Sequence, residues 1–159
     1  MDYQVSVVGG GISGALAALY LGKSRVKTCL IDRGKPSQSL SNPYIGKTTS
    51  LNLSSIASLR DVGIWEDIKK NAQEFNEIYV WDAEGSSSVQ FKAEEISRND
   101  LGVIVHNNII LESIYSKLEQ ISEVTLIEEE SLKEISQDQN KIELTSDSGL
   151  RIASELLIG

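Results

Sequence analysis

Three consecutive glycines, Gly9-Gly10-Gly11, interrupt an apolar run near the amino terminus, and their flanks leave few folds open. Before them, Val5, Val7 and Val8 are β-branched and suit a strand. After them, Ala15, Leu16, Ala18, Leu19 and Leu21 supply strong helix formers with a broad apolar face. Beyond Gly22, residues 26–31 read as a second strand that stops at Asp32-Arg33-Gly34. Strand, turn, helix and strand at this spacing form a βαβ unit, which requires a parallel sheet.

Gly9, Gly11 and Gly14 spell G-x-G-x-x-G inside that unit. Gly9 permits the tight turn, Gly11 lets a pyrophosphate approach the backbone, and Gly14 lets helix and strand pack closely. A helix starting near Ile12 offers unpaired N–H groups and a positive dipole end to phosphate oxygens. Asp32, 18 residues beyond Gly14, ends the second strand, where a carboxylate accepts hydrogen bonds from a ribose hydroxyl. The strand before, the helix after and the acid at this offset together point to a dinucleotide rather than to an empty Gly-rich turn. The unit alone does not choose between FAD and NAD.

Other classes fall away on composition and pattern. Residues 5–21 are apolar like a signal peptide, but Asp2 is the only early charge and the glycines break the run. The segment is also too short for a membrane span. A formal charge of −8 argues against nucleic acid, which demands a basic face. The single cysteine, Cys29, forms no internal disulfide, and with the single histidine, His106, it cannot complete a tetrahedral zinc site. Cys29 reads as a small buried hydrophobe.

Further along, residues 33–47 read as an exposed loop and residues 51–59 as a helix ended by Gly63. A short helical turn is expected at 65–70, and two strands at 77–82 and 89–92 around Glu84-Gly85-Ser86. Residues 101–106 form a strand or extended approach to a helix bearing Ile110, Ile114, Leu118 and Ile121, capped by Asn107 or Asn108. A strand at 124–127 precedes a solvated acidic run, Glu128-Glu129-Glu130. Residues 132–135, 141–145 and 150–158 read as a β-meander with turns at Gln139-Asn140 and Asp147-Ser148-Gly149. Trp65 and Trp81 read as core or interdomain packing. No repeat or linker marks a second independent domain.

Four stretches carry a family resemblance: residues 5–33; Lys47-Thr48-Thr49-Ser50-Leu51-Asn52; Gly63-Ile64-Trp65-Glu66-Asp67-Ile68; and Leu101-Gly102-Val103-Ile104-Val105-His106-Asn107-Asn108. In order and spacing they resemble the N-terminal half of the FAD-dependent aromatic hydroxylases of ubiquinone biosynthesis. Leu156-Leu157-Ile158-Gly159 is similar to the start of that family's Ile-Gly-Ala-Asp-Gly segment. The resemblance implies an α/β, Rossmann-like FAD-binding domain with a β-meander, residues 1–159 forming a single, incomplete unit that includes the first substrate-domain strands near 75–92. It implies that Gly9, Gly10, Gly11 and Gly14 hold the FAD pyrophosphate and Asp32 the adenosine ribose, with Arg33 on the adenine side. Lys47 stands at a family arginine that reaches the flavin or its phosphates, and a lysine there keeps the charge but loses the bidentate fork. Asn107 matches an amide that contacts FAD, and Leu132 a residue whose backbone lies beside the adenine. Read without the family, Lys47 is a solvated lysine and Asn107 a helix cap.

The implied activity is hydroxylation of a polyprenylated phenol, with NAD(P)H as reductant and O₂ as co-substrate. Implied partners are the phenolic substrate, the remaining C-terminal half and other ubiquinone-biosynthesis proteins. The implied location is cytoplasmic, with peripheral contact to the inner membrane. Other FAD enzymes sharing the βαβ unit, such as amine oxidases or prenyl reductases, and a non-catalytic remnant are the alternatives. His106 as a general base is set against an ordinary packed or surface histidine.

Overall fold

The computed structural model describes residues 2–35, 46–139 and 141–159. β1 (Asp2–Val8), α1 (Ile12–Lys23) and β2 (Thr28–Ile31) realise the predicted βαβ unit, with β1 and β2 parallel. The second strand starts two residues later than expected. Thr28, Cys29, Leu30 and Ile31 are all buried. Cys29 donates its thiol to Ser6 Oγ at 3.2 Å, and burial pushes that thiol pKa up.

The chain then leaves this layer. β3 (Thr48–Asn52), β7 (Gly102–His106) and β4 (Gln73–Phe75) form a separate three-stranded antiparallel sheet. The helix expected over 51–59 is therefore displaced by two residues: Leu51 lies in β3 opposite Val103, and α2 runs Leu53–Asp61. Asn52 marks the switch, its Oδ1 accepting from the Ser55 N–H at 2.9 Å. Gly63, at φ +79°, turns the chain into α3 (Trp65–Lys69). Trp65 is buried in the core. β5 (Glu77–Trp81) and β6 (Ser88–Lys92) pair as the expected hairpin, but on their own. Trp81 there is 66% exposed, which corrects the core reading for that residue.

α4 (Asn107–Leu118) buries Ile110, Ile114 and Leu118 as its spacing predicts, while Ile121 packs just beyond its end. β8 (Val124–Ile127) extends the parallel sheet beside β2. β9 (Leu132–Gln137), β10 (Ile142–Ser146) and β11 (Arg151–Ile158) are the meander. It is not an appendage: β11 pairs in parallel with β1, giving one six-stranded sheet in the order β8-β2-β1-β11-β10-β9. The main apolar core joins Val5, Val7 and Leu30 to side chains of α1, α2, α3 and α4. A smaller cluster gathers Tyr3, Cys29, Ile31, Leu144 and Ile152. Most of the 33–47 loop, and Asn140 of the first meander turn, lie outside the described residues. The second turn is present, with Gly149 at φ +86°.

Candidate functional site

The glycine turn sits at the carboxyl end of β1, where open parallel sheets receive ligands. Gly9 has φ +104°, a conformation that side chains rarely adopt, and its N–H donates to Ile31 C=O at 2.8 Å. Gly14 is sterically required, because a Cβ there would stand 2.0 Å from the Gly9 carbonyl oxygen. Gly11 is different: a Cβ on it would meet nothing within 4 Å and would project into open space. As the N-cap of α1, Gly11 has no side chain to satisfy the first helical N–H groups, and no acidic residue occupies the first turn. The helix thus presents a bare positive end, suited to phosphate.

Asp32 anchors this turn. Its Oδ2 accepts from the Gly10 N–H at 2.6 Å and its Oδ1 from the Gly34 N–H at 2.7 Å. A carboxylate offers about four acceptor positions, so lone pairs remain for ribose hydroxyls. On the other side of the same residue, the buried Tyr115 hydroxyl donates to the Gly10 carbonyl at 3.0 Å. Burial, then the charges of Asp32 and Glu128, push the Tyr115 pKa upward, so the phenol stays a neutral donor.

Val8, Gly9, Ile31, Asp32, Arg33, Glu130, Ser131 and Leu132 line one cleft of about 340 Å³ beside this turn. That volume falls within the usual range for small-molecule sites, about 300–1,000 Å³. Four sequence-derived site residues, Gly9, Asp32, Arg33 and Leu132, meet there. Glu130, part of the acidic run expected at the solvated surface, also lines the cleft, and both its oxygens accept from the Ser148 hydroxyl at 2.8 and 2.9 Å. Hydroxyls of Ser146 and Ser148 hold its pKa low.

Lys47 and Asn107 meet at a second place. The Asn107 N–H donates to the Lys47 carbonyl at 2.9 Å, and Asn107 Oδ1 accepts from the Thr49 hydroxyl at 2.6 Å. The expected capping role is thereby corrected. Asn107 is the first residue of α4, His106 holds the N-cap position, and the amide is drawn sideways by the antiparallel β3–β7 pairing. His106 lies opposite Thr48 in that pairing. α4 connects the two places, since Asn107 and Tyr115 are eight residues apart, about 12 Å along the axis. Thr49, Tyr115, Glu130 and Ser131 were missed in the sequence. None carries a spacing signal, because each is brought in by a distant segment.

Parallel strands β8, β2, β1 and β11, a glycine turn before a bare helix end and an acid closing the second strand define a dinucleotide-binding α/β domain. Its residues fit an adenine dinucleotide: acceptor capacity at Asp32, open space at Gly11 and a cleft toward Leu132. Residues 2–157 match the FAD-binding domain family, and the chain belongs to it. It is 31% identical over 147 residues to the mitochondrial ubiquinone biosynthesis monooxygenase COQ6 of Dictyostelium discoideum, covering 82% of this chain and 30% of that protein. To the 3-demethoxyubiquinol 3-hydroxylase of Escherichia coli K12 it is 25% identical over 159 residues, covering 98% and 40%. In structure it is similar to PqsL, a probable FAD-dependent monooxygenase from Pseudomonas aeruginosa, with a TM-score of 0.77 and 15% identity, covering 100% of this chain and 42% of that one. The p-nitrophenol 4-monooxygenase PnpA of Pseudomonas putida DLL-E4 gives a TM-score of 0.75 and 19% identity, covering 98% and 40%. The chain thus spans less than half the length of each of these proteins.

Proposed function

We propose that this chain is the FAD-binding part of a hydroxylase acting on a polyprenylated phenol of ubiquinone biosynthesis, with NAD(P)H as reductant. The observation that carries the reading is the run of similarity to ubiquinone hydroxylases along 82% and 98% of the chain. Bound FAD supplies the redox chemistry, accepting electrons from NAD(P)H and using O₂ to hydroxylate an electron-rich ring. The chain's own residues bind and orient. In this reading Gly9, Gly10, Gly11, Gly14 and the α1 end hold the pyrophosphate, Asp32 the ribose, and Arg33 and Leu132 the adenine side. Lys47 and Asn107 serve the flavin side.

The β5–β6 hairpin supports a domain role for residues 75–92. Register pairs Ile78 with Phe91 and Val80 with Val89, so four apolar side chains share one face. All four are 40–50% exposed. Tyr79 and Trp81 stack on the other face with ring centroids 5.7 Å apart. In our reading this ribbon begins the substrate-binding sheet and is completed by the polypeptide that the longer relatives carry beyond the matched region. No described helix is long and apolar enough to cross a membrane. A polyprenyl tail resides in lipid, so we place the enzyme in the cytoplasm with peripheral contact to the inner membrane.

The test is FAD titration of the folded chain, followed by NAD(P)H-dependent oxygen uptake with a prenylated phenol. The assay is run with and without a polypeptide corresponding to the remainder of the relatives. FAD binding by the chain, with coupled product only in the mixture, is expected, since the chain spans only 30% and 40% of the two relatives and coupled hydroxylation needs a flavin shielded from water. A folded chain that binds no FAD overturns the reading.

A further inference from the structure

Gly10 lies between two other glycines and is itself buried, although no strand ladder satisfies its peptide groups. Three residues without Cβ atoms have the largest backbone freedom, and a ligand that needs one arrangement must oppose that freedom. Here the arrangement is already imposed. The Gly10 N–H is held by Asp32 and the Gly10 carbonyl by the Tyr115 hydroxyl, which comes from α4, 105 residues away.

The second contact matters because of peptide planarity. The Gly10 carbonyl and the Gly11 N–H belong to one planar peptide group, and in a trans peptide they point in opposite directions. No cis peptide occurs among the described residues. With the carbonyl drawn to buried Tyr115, the Gly11 N–H must point away from that ring, and Gly11 itself is exposed, with nothing within 4 Å of a Cβ built on it.

We propose that Tyr115 is a positioning residue of the dinucleotide site, its hydroxyl turning the Gly10–Gly11 peptide so that the Gly11 N–H is aimed at a ligand phosphate. This rests on the FAD reading above and assigns a role to a side chain that does not itself touch the ligand. Tyr115 must stay neutral to donate, and its burial, followed by the charges of Asp32 and Glu128, favours that state. A role confined to packing would depend on the ring, not on the oxygen.

Tyr115→Phe keeps the ring and removes only the oxygen. The probes are ADP and adenosine, titrated by calorimetry or NMR into the full chain and the variant. Expected is a three- to thirtyfold rise in the ADP Kd, about the value of one hydrogen bond in a preorganised site, with the adenosine Kd changed less than twofold. Equal losses for both ligands, or none for ADP, overturn the inference and leave Tyr115 a structural residue. A wild-type chain that binds neither ligand overturns the dinucleotide reading itself, and the inference with it. A second measurement needs no variant: in the unsubstituted chain the Gly11 amide proton should move downfield with ADP and not with adenosine. An amide unmoved by saturating ADP overturns the inference even where Tyr115→Phe fails to fold.

Discussion

Gly14 lies so close to Gly9 that a single added methyl would stand 2.0 Å from the Gly9 carbonyl oxygen. Because the obstacle is backbone, it cannot rotate away. Helix propensity favours alanine over glycine by about 1 kcal/mol, whereas overpacking a rigid site costs about 1–3 kcal/mol or more. The steric term decides the sign. Gly14→Ala should lower the urea midpoint, while Gly11→Ala, whose Cβ enters open space, should leave the midpoint near wild type and weaken FAD binding. A midpoint for Gly14→Ala at or above wild type would show that β1 and α1 separate more readily than described.

Asp32 links the site to the fold. Its two oxygens satisfy the Gly10 and Gly34 N–H groups, so removing the carboxylate disturbs the fold as well as the ligand site. Asp32→Ala should cost about 1–3 kcal/mol of stability and lower ADP affinity about ten- to a hundredfold. Denaturation and calorimetry on one preparation separate the two effects, and unchanged ADP affinity would remove the carboxylate from the ribose.

The cleft also carries two carboxylates, Asp32 and Glu130. Such a pair accepts hydrogen bonds from ribose hydroxyls and repels a phosphate in their place. ADP should therefore bind at least tenfold more tightly than its 2′-phosphorylated analogue. Equal affinities in competitive titration would place the ribose elsewhere.

Alkaline pH should act through Tyr115. Its folded-state pKa is raised by burial and by Asp32 and Glu128, so the unfolded chain ionises first. The contribution is complete below the unfolded value of about 10 and is lost as pH rises through the folded value. The melting temperature should fall above about pH 10, and the gap between wild type and Tyr115→Phe should narrow there. A gap that is independent of pH between 8 and 11 would contradict this.

Trp81 and Trp65 differ sharply, at 66% and 4% exposure. Emission from the isolated chain should contain a red-shifted component that disappears in Trp81→Phe. That component should move to shorter wavelength when the polypeptide completing the β5–β6 sheet is added. No shift on forming a stable complex would separate the ribbon from that interface.

The βαβ unit was legible because its signals are local: valines, then glycines, then a helix face, then an acid at a fixed offset. Leu51 was misread for the opposite reason. Apolar residues at 51, 53, 56, 57 and 59 fit a helix, and only pairing with Val103, far along the chain, puts Leu51 in a strand. Asn107 suits a cap by type, yet Thr49 claims its amide across the same pairing. Tyr115 left no trace at all. It adjoins Ile114 on a buried helix face, and nothing in its neighbourhood shows that its hydroxyl meets Gly10.

The parallel pairing of β1 with β11 has a consequence for how the molecule comes into being. Asp2 aligns with Ala153 and Val7 with Ile158, so the centre of the main sheet joins segments about 150 residues apart. Closing so long a loop must precede any reward from the contact, which makes the pairing intrinsically slow. During synthesis, β1 and β2 leave the ribosome long before β11 exists, and one side of β1 stays unpaired throughout. Chaperone capture of the nascent chain should therefore persist until β11 emerges, and the dinucleotide turn at the end of β1 should be among the later features to become rigid.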